Sequence, residues 1–272
     1  MTKLLNGSEL QGYIKERQLR QVRNLKQEHD IIPRLLILKS PGAGRVIDSY
    51  VGMKSRYAED ITIEVEVETM TETDMSSRIE SANLDSNIQG IIIQLPLDDS
   101  SQTEMLCNKI SPEKDVDGLG AGSVFPSATA QAIDWLLAGY GVELDNKHIA
   151  IVGNGKLVGS PLARMWKSRG LAVTVLDDTS DDIAQVLQAS DIIVSATGSP
   201  RVVKSENVKH GAVVVDAGTA SEKGKIIGDV DSGVRERDDV TITPEKGGVG
   251  PLTYTVLFDH LIEACLKKAG ML

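Results

Sequence analysis

The run Gly153-Asn154-Gly155-Lys156-Leu157-Val158-Gly159 constrains this chain more than any other segment. The apolar stretch Lys147-His148-Ile149-Ala150-Ile151-Val152 leads into it, and Pro161-Leu162-Ala163-Arg164-Met165-Trp166 leaves it in a helical pattern. Strand, glycine turn and helix in that order make a dinucleotide-binding βα unit, because glycines let pyrophosphate approach backbone amides at a helix N-terminus. The spacing is GxGxxxG, looser than GxGxxG, and by itself it equally suits a plain glycine-rich βα turn. Context favours the dinucleotide: the next strand, 172–176, ends in Asp177-Asp178, where a carboxylate accepts from ribose hydroxyls. The candidate cofactor residues are therefore Gly153, Asn154, Gly155, Gly159, Asp177 and Asp178, together with Thr197, Gly198, Gly218 and Thr219 beyond later strands. Asp177 and Asp178 also suit a second role, capping a helix that starts near Asp181. As ribose ligands they repel the extra phosphate of NADP, so NAD is the preferred cofactor and NADP a possible one.

Apolar β-rich runs at 35–38, 61–67, 90–94, 149–153, 172–176, 192–195 and 212–216 alternate with helical patterns. Such alternation predicts an α/β fold of two lobes with parallel sheets, the second Rossmann-like, and a cleft between them. Between Asp115 and Ser127 the composition turns to glycine and small residues, which places the lobe boundary there. Glu64, Glu66 and Glu68 alternate with Ile63, Val65 and Val67, an edge-strand pattern with one solvated and one buried face rather than a catalytic carboxylate pair.

A net charge of -10 without a Lys/Arg cluster disfavours nucleic acid as a partner. No apolar run approaches the roughly 20 residues of a membrane span, and the first residues turn polar too soon for a signal peptide. Cys107 and Cys265 lie far apart in helical patterns, with neither a disulfide framework nor zinc-ligand spacing. The expectation is a cytoplasmic protein. His29, His148, His210 and His260 sit at predicted helix or strand ends without ligand partners, so no metal is expected.

A predicted helix over 48–58 projects Tyr50 and Lys54 from one face. Gln94 ends the run Gly90-Ile91-Ile92-Ile93, and ligands gather beyond the carboxyl ends of parallel strands. Lys114-Asp115-Val116-Asp117-Gly118 brings alternating charges to the junction between the lobes. Singly, each has an ordinary reading: a solvated lysine, a strand-end amide, a turn.

Taken together, the chain resembles the bifunctional methylenetetrahydrofolate dehydrogenase/methenyltetrahydrofolate cyclohydrolases nearly end to end. The resemblance rests on Tyr50-Val51 with Lys54, the run from Gly90 through Gln94-Leu95-Pro96-Leu97, Lys114-Asp115-Val116-Asp117-Gly118, Val158-Gly159 with Pro161-Leu162, and Gly247-Gly248-Val249-Gly250-Pro251-Leu252-Thr253. It implies hydride transfer from methylenetetrahydrofolate to a nicotinamide cofactor, then hydrolysis to formyltetrahydrofolate in the same cleft. It implies Lys54 as the lysine of hydrolysis, Tyr50 positioning the folate ring, Gln94 orienting the lysine and Asp117 gripping the pterin. Gly248, Pro251 and Thr253 would bind substrate from a backbone-lined loop that approaches the nicotinamide before a C-terminal helix. The implied domains are a folate-binding catalytic domain of residues 1–121 plus 253–272 and a dinucleotide-binding domain of 122–252. The resemblance also implies a homodimer.

The chain departs from the family pattern in places. Asn154-Gly155 replace an Arg-Ser pair and Asp177-Asp178 a His-Ser pair, positions that hold the extra phosphate in NADP-using relatives. Segment 119–125 is short, and Pro126-Ser127-Ala128-Thr129 replaces Pro-Cys-Thr-Pro. Ile47 stands where a serine is common, and Glu245-Lys246 replace Val-Pro. The alternatives are a dehydrogenase with weakened cyclohydrolase activity, a non-catalytic dinucleotide-sensing module, and a purely structural reading that treats each motif as a separate turn or cap.

Overall fold

A computed structural model describes residues 3–222 and 225–272. The strands are β1 (Lys3–Leu4), β2 (Arg34–Lys39), β3 (Glu64–Thr69), β4 (Gly90–Gln94), β5 (Ile149–Val152), β6 (Val173–Leu176), β7 (Ile192–Ser195), β8 (Val213–Asp216), β9 (Ala220–Glu222), β10 (Lys225–Ile227) and β11 (Thr241–Ile242). The α-helices are α1 (Gly7–Glu28), α2 (Arg45–Asp60), α3 (Glu72–Leu84), α4 (Thr103–Lys109), α5 (Ala128–Gly139), α6 (Gly159–Ser168), α7 (Ile183–Ala189), α8 (Ser232–Arg235) and α9 (Val249–Lys268). The chain divides into two compact units, Met1–Gln11 with Thr129–Thr253, and Gly12–Ala128 with Tyr254–Leu272.

In the unit built on Gly12–Ala128, three parallel strands take the order β3-β2-β4, pairing Leu38 with Ile93 and Lys39 with Gln94. Both faces of β2 and β4 are covered, as a parallel sheet requires. Leu36, Leu38, Ile91 and Ile93 pack with Met75 and Ile79 of α3 and Leu106 of α4 in one apolar cluster. β3 forms the edge, as the alternating glutamates predict. Its apolar face is covered less than expected, with Val67 40% exposed. The strand also begins later than expected. The amides of Ile61 and Ile63 turn back to the carbonyls of Tyr57 and Ala58, and Thr62 takes a left-handed φ of 61°, so residues 61–63 close α2 instead of opening β3.

The other unit carries a parallel sheet of order β1-β11-β8-β7-β5-β6. β6 lies on one side of β5 and β7 on the other, so the connections reverse direction at β5. That is the topological switch point where doubly wound sheets bind ligands. Its core gathers Ala150, Val152, Ile193, Val214 and Ile242 from the sheet with Leu187 and Val234. Trp166 of α6 is fully buried and donates to Asp134 of α5 at 2.8 Å.

Three limits of the units differ from the sequence expectation of 1–121 plus 253–272 and 122–252, the last of them by one residue. The amino terminus joins the larger sheet: β1 pairs with β11 and the Leu5 amide donates to the Ile242 carbonyl at 2.9 Å. A two-residue strand carries no periodicity that could announce this pairing. Residues 122–128 stay with the smaller sheet, because Ala128 donates to the Asp117 carbonyl at 3.0 Å and Phe125 stacks on His260 at 4.7 Å. His260 is not at an element end as expected; it is buried within α9, its Nδ1 2.8 Å from the Val116 carbonyl. Among the described residues, no helix is long and apolar enough to cross a membrane, and no cluster of three or more His, Cys, Asp or Glu could hold a metal ion.

Candidate functional site

Helix α2 is amphipathic, burying Ile47, Val51, Tyr57 and Ala58. Lys54 projects from it, half-buried, and its Nζ donates to Oε1 of Gln94 at 2.8 Å. The Gln94 side chain is fixed in turn, since its Nε2 donates to the Leu95 carbonyl at 3.2 Å. Burial pushes the Lys54 pKa below its ordinary value, and the charge of Asp117 opposes that shift. Burial raises the Asp117 pKa, and Lys54 opposes it in turn. The structure thus brings Lys54, Gln94 and Asp117 into one electrostatic group at the carboxyl end of β4. Tyr50 lies one turn before Lys54 on the same face, half-buried, with its hydroxyl pKa raised by burial.

The motif from Lys114 to Gly118 divides its work. The Lys114 ammonium donates to the carbonyls of Ala82, Asn83 and Asp85 at 2.8, 2.9 and 2.7 Å, so it caps the carboxyl end of α3. Asp115 is buried, bridges to Ile91 beside β4, and accepts from the amides of Gly118 and Gly120 at 3.1 and 2.7 Å. Gly118, at φ 70°, would place a Cβ only 2.1 Å from the Pro126 carbonyl oxygen. These contacts fix the backbone on which Asp117 stands.

Sequence reasoning missed a second support. Glu72, in the first turn of α3, accepts from Ser40 Oγ at 2.7 Å and from the amides of Asp98 and Asp99 at 3.1 and 3.3 Å. It ties the end of β2 to the loop that follows Gln94. An acid in a first helical turn is common, so nothing local in the sequence marks it. Ile47 is a core residue only 9% exposed.

The cofactor candidates lie in the other unit. Gly153, at φ 103°, follows β5 so closely against β7 that a Cβ there would meet the Ala196 carbonyl oxygen at 2.5 Å. Gly159 opens α6 with its own Cβ position 1.8 Å from the Gly153 carbonyl oxygen. Gly155 faces open space and is exposed, as is Asn154. A Cβ on Gly198, at φ 68°, would lie 3.5 Å from the Thr219 carbonyl oxygen. Gly153, Thr197, Gly198, Gly218 and Thr219 therefore gather at the carboxyl ends of β5, β7 and β8, beside the switch point.

Two expectations change. Asp177 does not cap α7, whose N-cap Asp182 makes no side-chain bond. Its Oδ1 instead accepts from Thr179 N, Thr179 Oγ1 and Ser180 Oγ at 3.1, 2.7 and 3.2 Å, closing its own turn and lowering its pKa; Asp178 is exposed. The segment around Pro251 is not a loop: α9 starts at Val249, so Pro251 and Thr253 are helical, and Thr253 Oγ1 lies 3.4 Å from the Val249 carbonyl oxygen. Proline is tolerated there because amides of a first turn have no intrahelical acceptor. Gly248 is buried, its carbonyl oxygen 1.9 Å from the Cβ position of Gly7.

Residues 5–117 match the family model "Tetrahydrofolate dehydrogenase/cyclohydrolase, catalytic domain", and residues 127–269 match its NAD(P)-binding domain. The chain belongs to the tetrahydrofolate dehydrogenase/cyclohydrolase family. It is 33% identical over 290 residues to the bifunctional protein FolD of Staphylococcus carnosus, covering 100% of this chain and 99% of that protein. Among solved structures, the FolD enzyme of Campylobacter jejuni superposes with a TM-score of 0.91 at 30% identity, over 98% of this chain and 100% of that one. The family enzyme of Trypanosoma brucei, complexed with NADP and an inhibitor, also gives 0.91, at 27% identity over 98% of each chain. The unit with the glycine turn is thus the NAD(P)-binding one.

Proposed function

We infer that this protein oxidises methylenetetrahydrofolate by hydride transfer to a nicotinamide cofactor and hydrolyses the methenyl product to formyltetrahydrofolate. The observation that carries the reading is the Lys54–Gln94 hydrogen bond with Asp117 in electrostatic reach, in a chain that keeps both family domains. The bound cofactor supplies a nicotinamide carbon that accepts the hydride. That step asks of the protein only alignment. In hydrolysis, water adds to the methenyl carbon and a carbon–nitrogen bond breaks. Lys54, deprotonated, takes the proton from water and returns it to the leaving nitrogen; Gln94 fixes the direction of its Nζ, Asp117 accepts from the pterin, and Tyr50 positions the ring. Gly248, Pro251 and Thr253 are proposed to border the substrate.

The sign of the pH dependence follows from the charges. Hydrolysis rises as Lys54 loses its proton, with a midpoint below the ordinary 10.5. The charge of Asp117 holds that midpoint up, so Asp117→Asn moves it to lower pH. A pH–rate profile of both enzymes checks this, and an unmoved or raised midpoint would sink it.

The turn fits a dinucleotide: Gly155 stands open while Gly153 and Gly159 close the backbone beside it. We propose NAD over NADP, supported by carboxylates at 177 and 178 and the absence of an arginine at 154. Asp177 shares its carboxylate with its own turn, which leaves the exposed Asp178 as the stronger discriminator. The wild type should turn over NAD with the higher kcat/KM, and Asn154→Arg with Asp178→Ser should raise NADP efficiency about tenfold, or roughly 1.4 kcal/mol. A wild type that prefers NADP would refute the choice. A homodimer in the cytoplasm completes the proposal, with sedimentation velocity as the check on assembly.

A further inference from the structure

Asp229 was not among the residues the sequence singled out, and the reaction above makes no use of it. It is fully buried, and its Oδ2 accepts from Ser195 Oγ at 2.8 Å, from the Thr197 amide at 2.6 Å and from Thr197 Oγ1 at 2.9 Å. Its Oδ1 is one of two buried side-chain polar atoms among the described residues that have no hydrogen-bond partner. A Cβ on Gly218 would lie 2.0 Å from that oxygen, so the carboxylate stands directly against the Gly218 backbone.

The carboxylate is itself held. The Asp229 amide donates to Asp216 Oδ1 at 3.0 Å, Asp216 pairs with Arg235 at 2.7 Å, and the Val203 amide donates to the Asp229 carbonyl at 3.2 Å. Thr197 gives its only hydroxyl proton to Asp229 and accepts from the Ser199 amide at 2.9 Å, so the turn after β7 is ordered outward from the carboxylate. Two of the five backbone positions gathered at the carboxyl ends of β5, β7 and β8, Thr197 and Gly218, therefore rest on one buried side chain.

We propose that Asp229 is a positioning residue for the nicotinamide cofactor, setting the Thr197–Gly198 turn through Oδ2 and leaving room for only a glycine at 218. The role rests on the reading of this unit as the NAD(P)-binding one. It acts through backbone geometry, and because its partners lie within that unit it leaves the Lys54 group untouched. Aspartate suits the task because a single carboxyl oxygen accepts from three donors at short range.

The test measures NADH affinity by fluorescence titration without folate, alongside cyclohydrolase turnover of methenyltetrahydrofolate without nicotinamide. Asp229→Ala should weaken NADH binding about tenfold or more while hydrolysis stays within about twofold of wild type. Asp229→Asn should recover part of the affinity, because an amide oxygen can accept from the same three donors. Thr197→Val, which deletes the hydroxyl link to Asp229 together with the acceptor of the Ser199 amide, should weaken NADH binding in the same direction and serves if Asp229→Ala does not fold. Unchanged NADH affinity in Asp229→Ala and Thr197→Val, with wild type active, would overturn the role alone. Parallel loss of affinity and hydrolysis would mark Asp229 as a general fold residue and equally overturn it. A wild type that binds no nicotinamide would overturn both this role and the cofactor reading.

Discussion

Lys54→Met should lose hydrolysis of methenyltetrahydrofolate by about 10²–10⁴-fold, the usual worth of a positioned proton carrier, while hydride transfer falls far less. Methionine keeps the length and apolar stem and removes the ammonium that donates to Gln94 Oε1 at 2.8 Å. In an assay that follows NADH and the methenyl intermediate together, the variant should accumulate methenyl product that the wild type consumes. The substitution also removes the charge that lowers the Asp117 pKa. Asp117 then holds its proton to higher pH, so some loss of folate affinity accompanies the loss of hydrolysis and appears as a raised KM for both steps. Division of the two activities is therefore read from kcat. Equal losses in the two kcat values, or no loss in either, would refute the assignment of Lys54 to hydrolysis.

The same lysine shows what a sequence can and cannot disclose. Tyr50 and Lys54 share a helix face by spacing, and Gln94 ends a run of isoleucines, so both positions follow from local periodicity and the rule that ligands gather at strand ends. Their meeting depends on the packing of α2 beside β4, which periodicity does not contain. Lys114 and Asp115 were legible as part of a motif, but their roles were not: one caps α3 and the other pins the backbone around Asp117, through carbonyls and amides that any residue carries. Glu72 and Asp229 escaped altogether, because a buried carboxylate gripping backbone amides looks in sequence like any other acid. β1 escaped for a different reason, since its two residues gain strand character only by pairing with a strand more than two hundred positions away. The glycines fared best. The need for a missing Cβ is a property of one residue, and it survives into the structure at Gly153 and Gly159.

Gly159→Ala therefore carries the second large expected effect, a loss of cofactor affinity of about 100-fold, or roughly 2.7 kcal/mol. A methyl group at this position would begin 1.8 Å from the Gly153 carbonyl oxygen and 2.8 Å from its carbon, and ordinary contact starts at 3.4 Å. Both opposing atoms are backbone, so no side chain can swing aside. The turn itself must open, and overpacking of this kind costs about 1–3 kcal/mol of stability. Opening it moves the first amides of α6 away from the place where a pyrophosphate would accept their hydrogen bonds. Gly155→Ala is the matched control, because a Cβ there meets nothing within 4 Å. It should leave the melting temperature of the free protein unchanged and weaken NADH only to the extent that the cofactor occupies that open space. Hydrolysis of supplied methenyltetrahydrofolate, assigned by our proposal to the Lys54 group of the other unit, should persist in both variants. The two lesions then separate the activities in opposite directions, with Lys54→Met losing hydrolysis and Gly159→Ala losing the nicotinamide step. If Gly159→Ala bound NADH within about twofold of wild type, the glycine turn would be a structural device and the cofactor would have to lie elsewhere.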